Sequence, residues 1–251
     1  MTFHYNNVKS SDKGLEVLDI RRDIFPTLKH KTVEIPGREG SILFPVPYGT
    51  RIIEVDCALI GSTGADLLSL ERTLAEWLST DTMYPLYFGD NPEYFFYARV
   101  SNVCPVSQNG RFAFITITFE CEPFALSVTP TVQTLTIISG QAGQISVPGT
   151  AHAIPQVRIS PVSENVIGLT MTVDGKNFIY NGTIEAGEEL LIDSKNMTAM
   201  KVNTGAMTGS NVLGLVSGTF PVLPPTNVVV KHVASNGASA KYTFTYRARW
   251  V

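Results

Sequence analysis

Charge is scarce in this chain: Asp, Glu, Lys and Arg make up 16% of its 251 residues, where a soluble domain usually carries about a quarter. Surface so short of charge needs another cover, and burial against neighbours in a larger particle would supply it. The net charge of −3 divides unevenly, with 11 Lys+Arg against 16 Asp+Glu in residues 1–130 and 8 against 6 in residues 131–251. Neither half has the clustered basic stripe that gripping a phosphate backbone requires, which argues against tight nucleic-acid binding. There is no run of 18 apolar residues, and the start "MTFHYNNVKSSDKG" has no apolar stretch behind a basic one. The expectation is neither membrane span nor signal peptide, and synthesis in the cytoplasm. The three cysteines, Cys57, Cys104 and Cys121, sit in strand-like runs without C-x-x-C spacing or a nearby histidine, and read as buried free thiols of a reducing compartment.

The usual signs of catalysis are missing as well. His4, His30, His152 and His232 are scattered singly, and no H-E-x-x-H, G-x-S-x-G, P-loop or dinucleotide fingerprint occurs. Asp174, Glu185, Glu188, Glu189 and Asp193 could supply a glycosidase pair in space, yet nothing selects two of them, and solvation of a turn-rich region explains them equally well. Sugar binding through an exposed aromatic face is the stronger competitor. Residues 131–249 lack tryptophan, leaving Tyr180, Tyr242 and Tyr246 as platforms, and alternation already assigns the last two to a buried face. The Asn-x-Ser/Thr sequences at Asn181 and Asn196 read as turns. No catalytic, metal-ligating or cofactor-binding residue is assigned, and the expectation is that the chain is not an enzyme.

What the sequence does contain is strand. In the first half, Leu15–Ile20, Thr32–Ile35, Arg51–Ile60, Leu86–Phe88, Tyr94–Val103 and Arg111–Cys121 are candidates. Ile53, Val55, Cys57 and Leu59 alternate with Ile52, Glu54, Asp56 and Ala58, the period of an antiparallel strand with one wet face. Between them Leu67, Leu70, Leu74, Trp77 and Leu78 form a helical stripe over residues 64–79, opened by a Thr63/Asp66 capping box. Pro123 and Pro130 bracket a link, so residues 1–128 and 129–251 are read as two domains. The second is a series of short strands at 8–12-residue spacing, the pattern of a sandwich. Asp174–Gly175, Asn181–Gly182 and Asn236–Gly237 read as hairpin turns. Its last strand, "KYTFTYRARW", sets Tyr242, Phe244, Tyr246, Ala248 and Trp250 on one face.

The stretch "EIPGREGSI" stands apart. Pro36, Gly37 and Gly40 shape a loop whose apex carries Arg38 beside Glu39.

The order of "FHYNNVKSSDKGLEVLDIRRDIFP", "VEIPGREGSILF", "YGTRIIEVDCAL", "DLLSLERTLAEWLS", "LYFGDNPEYFFYARV", "FAFITITFECEPFA", "VPGTAHAIPQVRIS", "ELLIDSKN" and "SGTFPVLPPTNVVV" resembles the distal tail (Dit) proteins of siphophages infecting Gram-positive bacteria. The resemblance implies a mainly β protein. Its N-terminal β-sandwich-like domain, with one α-helix, closes into a hexameric ring, and its C-terminal galectin-like β-sandwich lies on the periphery. It further implies a hub at the distal end of the virion tail that joins the tail-tube protein to the tail-tip (Tal) protein and carries receptor-binding or baseplate proteins, with DNA passing through the lumen. On that reading Arg38 and Glu39 are candidate subunit-interface residues, and acidic side chains of the first domain line the channel. The H-x-N-x-R motif and stacking tryptophan of sugar-binding galectins are absent from residues 131–249, so the second domain is expected to dock proteins. A cell-wall carbohydrate-binding module is the alternative, and a wall-cutting tail enzyme comes third.

Overall fold

The computed structural model describes residues 1–29, 32–37, 39–44, 47–101 and 104–251. The chain forms two compact units, Met1–Val128 together with Val251, and Thr129–Trp250.

The first unit contains β1 (Phe3–Tyr5), β2 (Val8–Lys9), a 3-10 turn, β3 (Leu15–Arg22), β4 (Thr32–Glu34), β5 (Ser41–Leu43), β6 (Arg51–Ile60), α1 (Gly64–Leu78), β7 (Tyr84–Phe88), β8 (Asn91–Val100), β9 (Val106–Asn109), β10 (Phe112–Cys121) and β11 (Ala125–Ser127). One sheet runs in the order β2-β1-β7-β8-β10-β6-β3, with β9 also on β10 and β11 on β8. Its spine is the β6–β10 pair, in register from Arg51 opposite Cys121 to Ile60 opposite Phe112. The alternation read in β6 decides which face is dry: Ile53, Val55, Cys57 and Leu59 are buried with Ala113, Ile115, Ile117 and Phe119. The sheet curls until β1 meets β10, so that Tyr5 and Phe119 have ring centroids 5.2 Å apart.

Helix α1 closes the dry face. The Thr63 side chain accepts from the Asp66 amide at 3.2 Å and the Asp66 carboxylate accepts from the Thr63 amide at 3.0 Å, the capping box with Asp in place of Glu. Leu67, Leu74, Trp77 and Leu78 are buried. Trp77 is the anchor: its ring stacks on Phe3 at 5.8 Å and its Nε1 donates to the Tyr5 carbonyl at 3.1 Å. An aromatic at this point both fills volume and ties the helix to a strand carbonyl through its indole N–H.

The second unit is a two-sheet sandwich. One sheet orders β12 (Thr131–Ile137), β22 (Ala240–Tyr246), β14 (Gln156–Pro161), β17 (Glu188–Asp193), β18 (Thr198–Asn203) and β19 (Ser210–Asn211). The other orders β13 (Ala142–Ser146), β21 (Asn227–Ala234), β15 (Val166–Val173), β16 (Lys176–Ile184) and β20 (Val216–Gly218). Their inner faces share one core that includes Val157, Ile159, Leu169, Met171, Phe178, Tyr242 and Phe244. The Asp174–Gly175 hairpin turns with both residues at positive φ, 48° and 74°, the twist that suits a two-residue β-turn.

Several expectations need correction. Asn181–Gly182 is no turn: the pair lies within β16, where the register against β15 shifts opposite Gly168, and a Cβ at position 182 would run into the Tyr180 ring, so glycine makes room for a core aromatic. Asn181 is therefore a strand residue. Asn236–Gly237 joins strands of opposite sheets rather than a hairpin, and the Asn236 amide donates to the Asn165 carbonyl at 2.7 Å. Strand β22 stops at Tyr246. Strand β8 ends at Val100, and the expected extension through Asn102 and Val103 lies outside the described residues. Cys57 and Cys121 lie on strands and are buried, whereas Cys104 lies between strands and is only half-buried.

Candidate interaction surfaces

Three surfaces of the first unit have a composition that its own packing does not explain. The first is an arm. Residues 23–50 leave the sheet between β3 and β6 and carry the separate hairpin β4–β5, which pairs Thr32 with Leu43 and Glu34 with Ser41. Every residue of β4 is exposed. Ile24 is 88% exposed, Phe25 56%, Tyr48 45%, Ile35 43% and Val33 41%. The apex is the loop picked out in the sequence: Gly37 and Gly40 both have φ of 83° with open space around them, and exposed Glu39 lies between them. Its companion Arg38 lies outside the described residues.

Arg51 holds the base of the arm. This arginine, 6% exposed, donates from Nη1 to the Asp23 carbonyl at 2.6 Å, and its guanidinium sits 5.6 Å from the centroid of Phe96. Burial lowers its pKa, because a cation loses hydration there.

The second surface is the wet face of the sheet. Cross-strand register places Glu16, Asp19, Glu54, Asp56 and Glu120 on it beside Arg21 and Arg99. Arg21 bridges Glu54 at 3.2 Å and Asp56 at 3.1 Å, the Thr116 hydroxyl donates to Asp56 at 2.6 Å, and Arg99 donates to Glu120 from both Nε and Nη2. Asp19 lies directly opposite Asp56, a like-charge pairing that costs stability on its own. The carboxylates outnumber the arginines, so the face is net acidic.

The third is a groove of about 490 Å³ beside the C-terminal half of α1, lined by Leu59, Leu74, Leu78, Val100, Val106 and Ile115 with Glu71 and Cys104 at its polar margin. Nothing in the sequence marked it. Its lining comes from four strands, a helix and a connection, and only the fold brings them together. The arm did leave a trace, since Ile24 and Phe25 precede Pro26 without joining any periodic run.

The sugar-binding and catalytic readings fare differently from these surfaces. Tyr180, Tyr242 and Tyr246 are all buried and offer no stacking face. Of the carboxylates considered for catalysis, Glu189 pairs with Arg158 at 2.7 Å, Glu188 pairs with Lys201 at 3.0 Å, and Asp193 accepts from the amides of Lys195 and Asn196. Among the described residues, no group of three or more His, Cys, Asp and Glu side chains could hold a metal ion, and no described helix is long and apolar enough to cross a membrane.

Residues 9–121 match the phage tail protein RIFT-related domain, the span that contains the arm, the acidic face and the groove. The first unit is thus similar to a phage tail domain. The fold of the chain along its whole length is that of the SPP1 Dit protein, described as a paradigm of the hub adsorption apparatus in Gram-positive-infecting phages. The match has a TM-score of 0.79 at 20% identity and covers 100% of this chain and 99% of that one. Two structures of the phage p2 baseplate in its activated conformation, with Sr and with Ca, align at TM-scores of 0.47 and 0.46 and 9% identity. They cover 100% and 96% of this chain and 98% and 93% of those chains. No curated protein is significantly similar to it in sequence.

Proposed function

We propose that this chain is a phage tail protein, a structural hub at the distal end of the tail that acts by shape and without catalysis. The observation that carries the reading is the tail-domain match over residues 9–121, and the hub described for the SPP1 protein of the same fold supports it. Six copies close into a ring through residues 1–128, and residues 129–251 form a galectin-like sandwich. The ring joins the tail-tube protein to the tail-tip protein, and receptor-binding or baseplate proteins dock outside. The arm is the element expected to reach a neighbour, because its apolar side chains bury little within their own chain. The apex charges Arg38 and Glu39 then fix register against the neighbouring surface. The acidic sheet face lines the lumen, where repulsion of phosphate lets the genome slide without being held.

Light scattering and negative-stain imaging of the purified chain test this: rings of six are expected, and antibody labelling places the protein at the tail end of virions. A chain that remains monomeric at all concentrations and is absent from virion tails would refute it. Arg38→Glu should weaken ring formation, and an unchanged ring with normal tail joining would remove the apex charges from the contact. The carbohydrate-binding alternative loses its aromatic platforms to the core, and no observation favours it.

A further inference from the structure

Asparagine followed by glycine is open to a reaction with itself, because glycine sets no side chain between its backbone nitrogen and the asparagine Cγ. The ring can close only when that nitrogen swings toward the side-chain amide, so the fold around the pair sets the rate. This chain has three such pairs, Asn109–Gly110, Asn181–Gly182 and Asn236–Gly237. Asn236 and its glycine are both held. The Asn236 Oδ1 accepts from the Ile167 amide at 3.3 Å and the Ala238 amide at 3.4 Å, Nδ2 donates to the Asn165 carbonyl at 2.7 Å, and the Gly237 nitrogen donates to the Ala234 carbonyl at 3.0 Å. Asn181 lies inside β16, with the Tyr180–Leu169 pair before it and the Thr183–Ile167 pair after it. Cyclising there would break a ladder on both sides and disturb a core tyrosine. Asn109 has neither restraint. It ends β9, a strand exposed along its length, and faces Phe112 across the two-residue turn Gly110–Arg111. Among the described residues its side chain has no hydrogen-bond partner. Gly110 has φ of 63° with open space around it, and Gln108 Nε2 donates to its carbonyl at 3.2 Å, which leaves its nitrogen out of that contact. Fraying the last pair of an exposed hairpin end breaks no core contact and is the least costly kind of local opening.

We propose that Asn109 is a self-modification site, at which the folded chain deamidates while Asn181 and Asn236 are protected. The Gly110 nitrogen attacks the Asn109 Cγ, the Cγ–Nδ2 bond breaks, and ammonia leaves carrying the proton of the attacking nitrogen. The succinimide that remains is opened by water at either carbonyl. One opening gives aspartate, and the other gives isoaspartate, with the chain rerouted through the side-chain carbon. Both put a new negative charge on the β9–β10 tip. The isoaspartyl form also adds one backbone carbon beside the Asn109–Phe112 pair, which takes β9 out of step with β10. The inference is independent of the ring reading.

The test holds the full chain at pH 8.5 and 37 °C, with and without denaturing urea, and maps deamidation over days by peptide mass spectrometry, scoring isoaspartate with an isoaspartyl methyltransferase. In the folded chain Asn109 should convert about 10-fold or more faster than Asn181 and Asn236, since those two react only through larger openings. In urea the three rates should come within a few-fold of one another, because the dipeptide is the same. Native isoelectric focusing should show a single early acidic step, and Asn109→Gln should abolish it. A folded chain in which Asn181 or Asn236 converts as fast as Asn109 overturns the proposal. So does a rate difference that survives in urea, because local sequence and not the fold would then set it. An early acidic step that persists in Asn109→Gln overturns it as well.

Discussion

His232 makes the second unit sensitive to acid, and the sign follows from geometry. The side chain is fully buried on β21. Its Nε2 lies 2.8 Å from the Ala238 carbonyl, and its Nδ1 lies 2.7 Å from the hydroxyl of buried Tyr242. A carbonyl only accepts, so Nε2 carries the proton and Nδ1 accepts from Tyr242, which assigns the neutral tautomer. Protonating Nδ1 would turn the acceptor into a donor and force the hydroxyl proton into the apolar core. Burial accordingly lowers the His232 pKa from 6.5, against the opposing pull of the Ala238 carbonyl. Because the unfolded chain takes up the proton first, stability is full above pH 6.5 and falls as pH drops from there toward the folded pKa. The slope has a ceiling of about 1.4 kcal/mol per pH unit, one proton's worth. Urea unfolding of the full chain at pH 7.5, 6.5, 5.5 and 5.0, followed by a probe of the second unit, measures it. His232→Phe combined with Tyr242→Phe removes the pair together, and should flatten that part of the profile. A double variant that keeps the wild-type slope between pH 6.5 and 5.0 would refute the neutral buried imidazole as its origin.

Trp77→Ala should cost the first unit about 3–5 kcal/mol, through lost volume and the lost indole hydrogen bond to Tyr5, lowering its melting temperature by roughly 10–20 °C; calorimetry should find the second unit's transition unmoved. Gly182→Ala should cost the second unit about 1–3 kcal/mol, because the added methyl meets the Tyr180 ring, which is buried and has no room to swing; an unchanged denaturant midpoint would count against this. In the unassembled protein, a thiol-specific reagent at pH 8 should label one cysteine quickly and the other two only after denaturant. Burial pushes the Cys57 and Cys121 thiols up to about 12, whereas half-buried Cys104 remains within reach, and peptide mapping identifies the labelled site.

The parts of the fold legible in sequence are those written in local periodicity. Strand β6 and helix α1 each bury one repeating face, and the Thr63–Asp66 box marks the helix start because a cap is a contact between residues three apart. Strands β1, β2, β5 and β11 are two or three residues long, too short for a period to show, and β9 is exposed throughout. Asn181–Gly182 misleads because the pair has two physical uses, a turn with positive φ or space beside a ring, and only the position of Tyr180 decides between them. The groove is invisible for a related reason: Leu59, Leu74, Val100 and Val106 belong to three strands and a helix that only the fold brings together.

The contrast between the sheet's edge and its arm bears on assembly. Strand β3 is an edge, and exposed edges invite unwanted pairing. Here it carries exposed Glu16, Asp19, Arg21 and Arg22 and is interrupted by a bulge between Val17 and Asp19, both devices that discourage another strand from adding. The described part of the arm is more apolar. Its β4 strand exposes Val33 between Thr32 and Glu34, and Ile24 and Phe25 stand open at its base. On the proposed ring reading, a chain protected at the edge where pairing would be open-ended, and apolar on the arm, meets copies of itself in one way only. Relieving the edge with Glu16→Val and Asp19→Thr should therefore create irregular aggregates without strengthening the ring, whereas Val33→Asp with Ile35→Asp should leave a well-folded monomer. If the arm variant still forms rings, the directional contact lies elsewhere and this division of the surface is wrong.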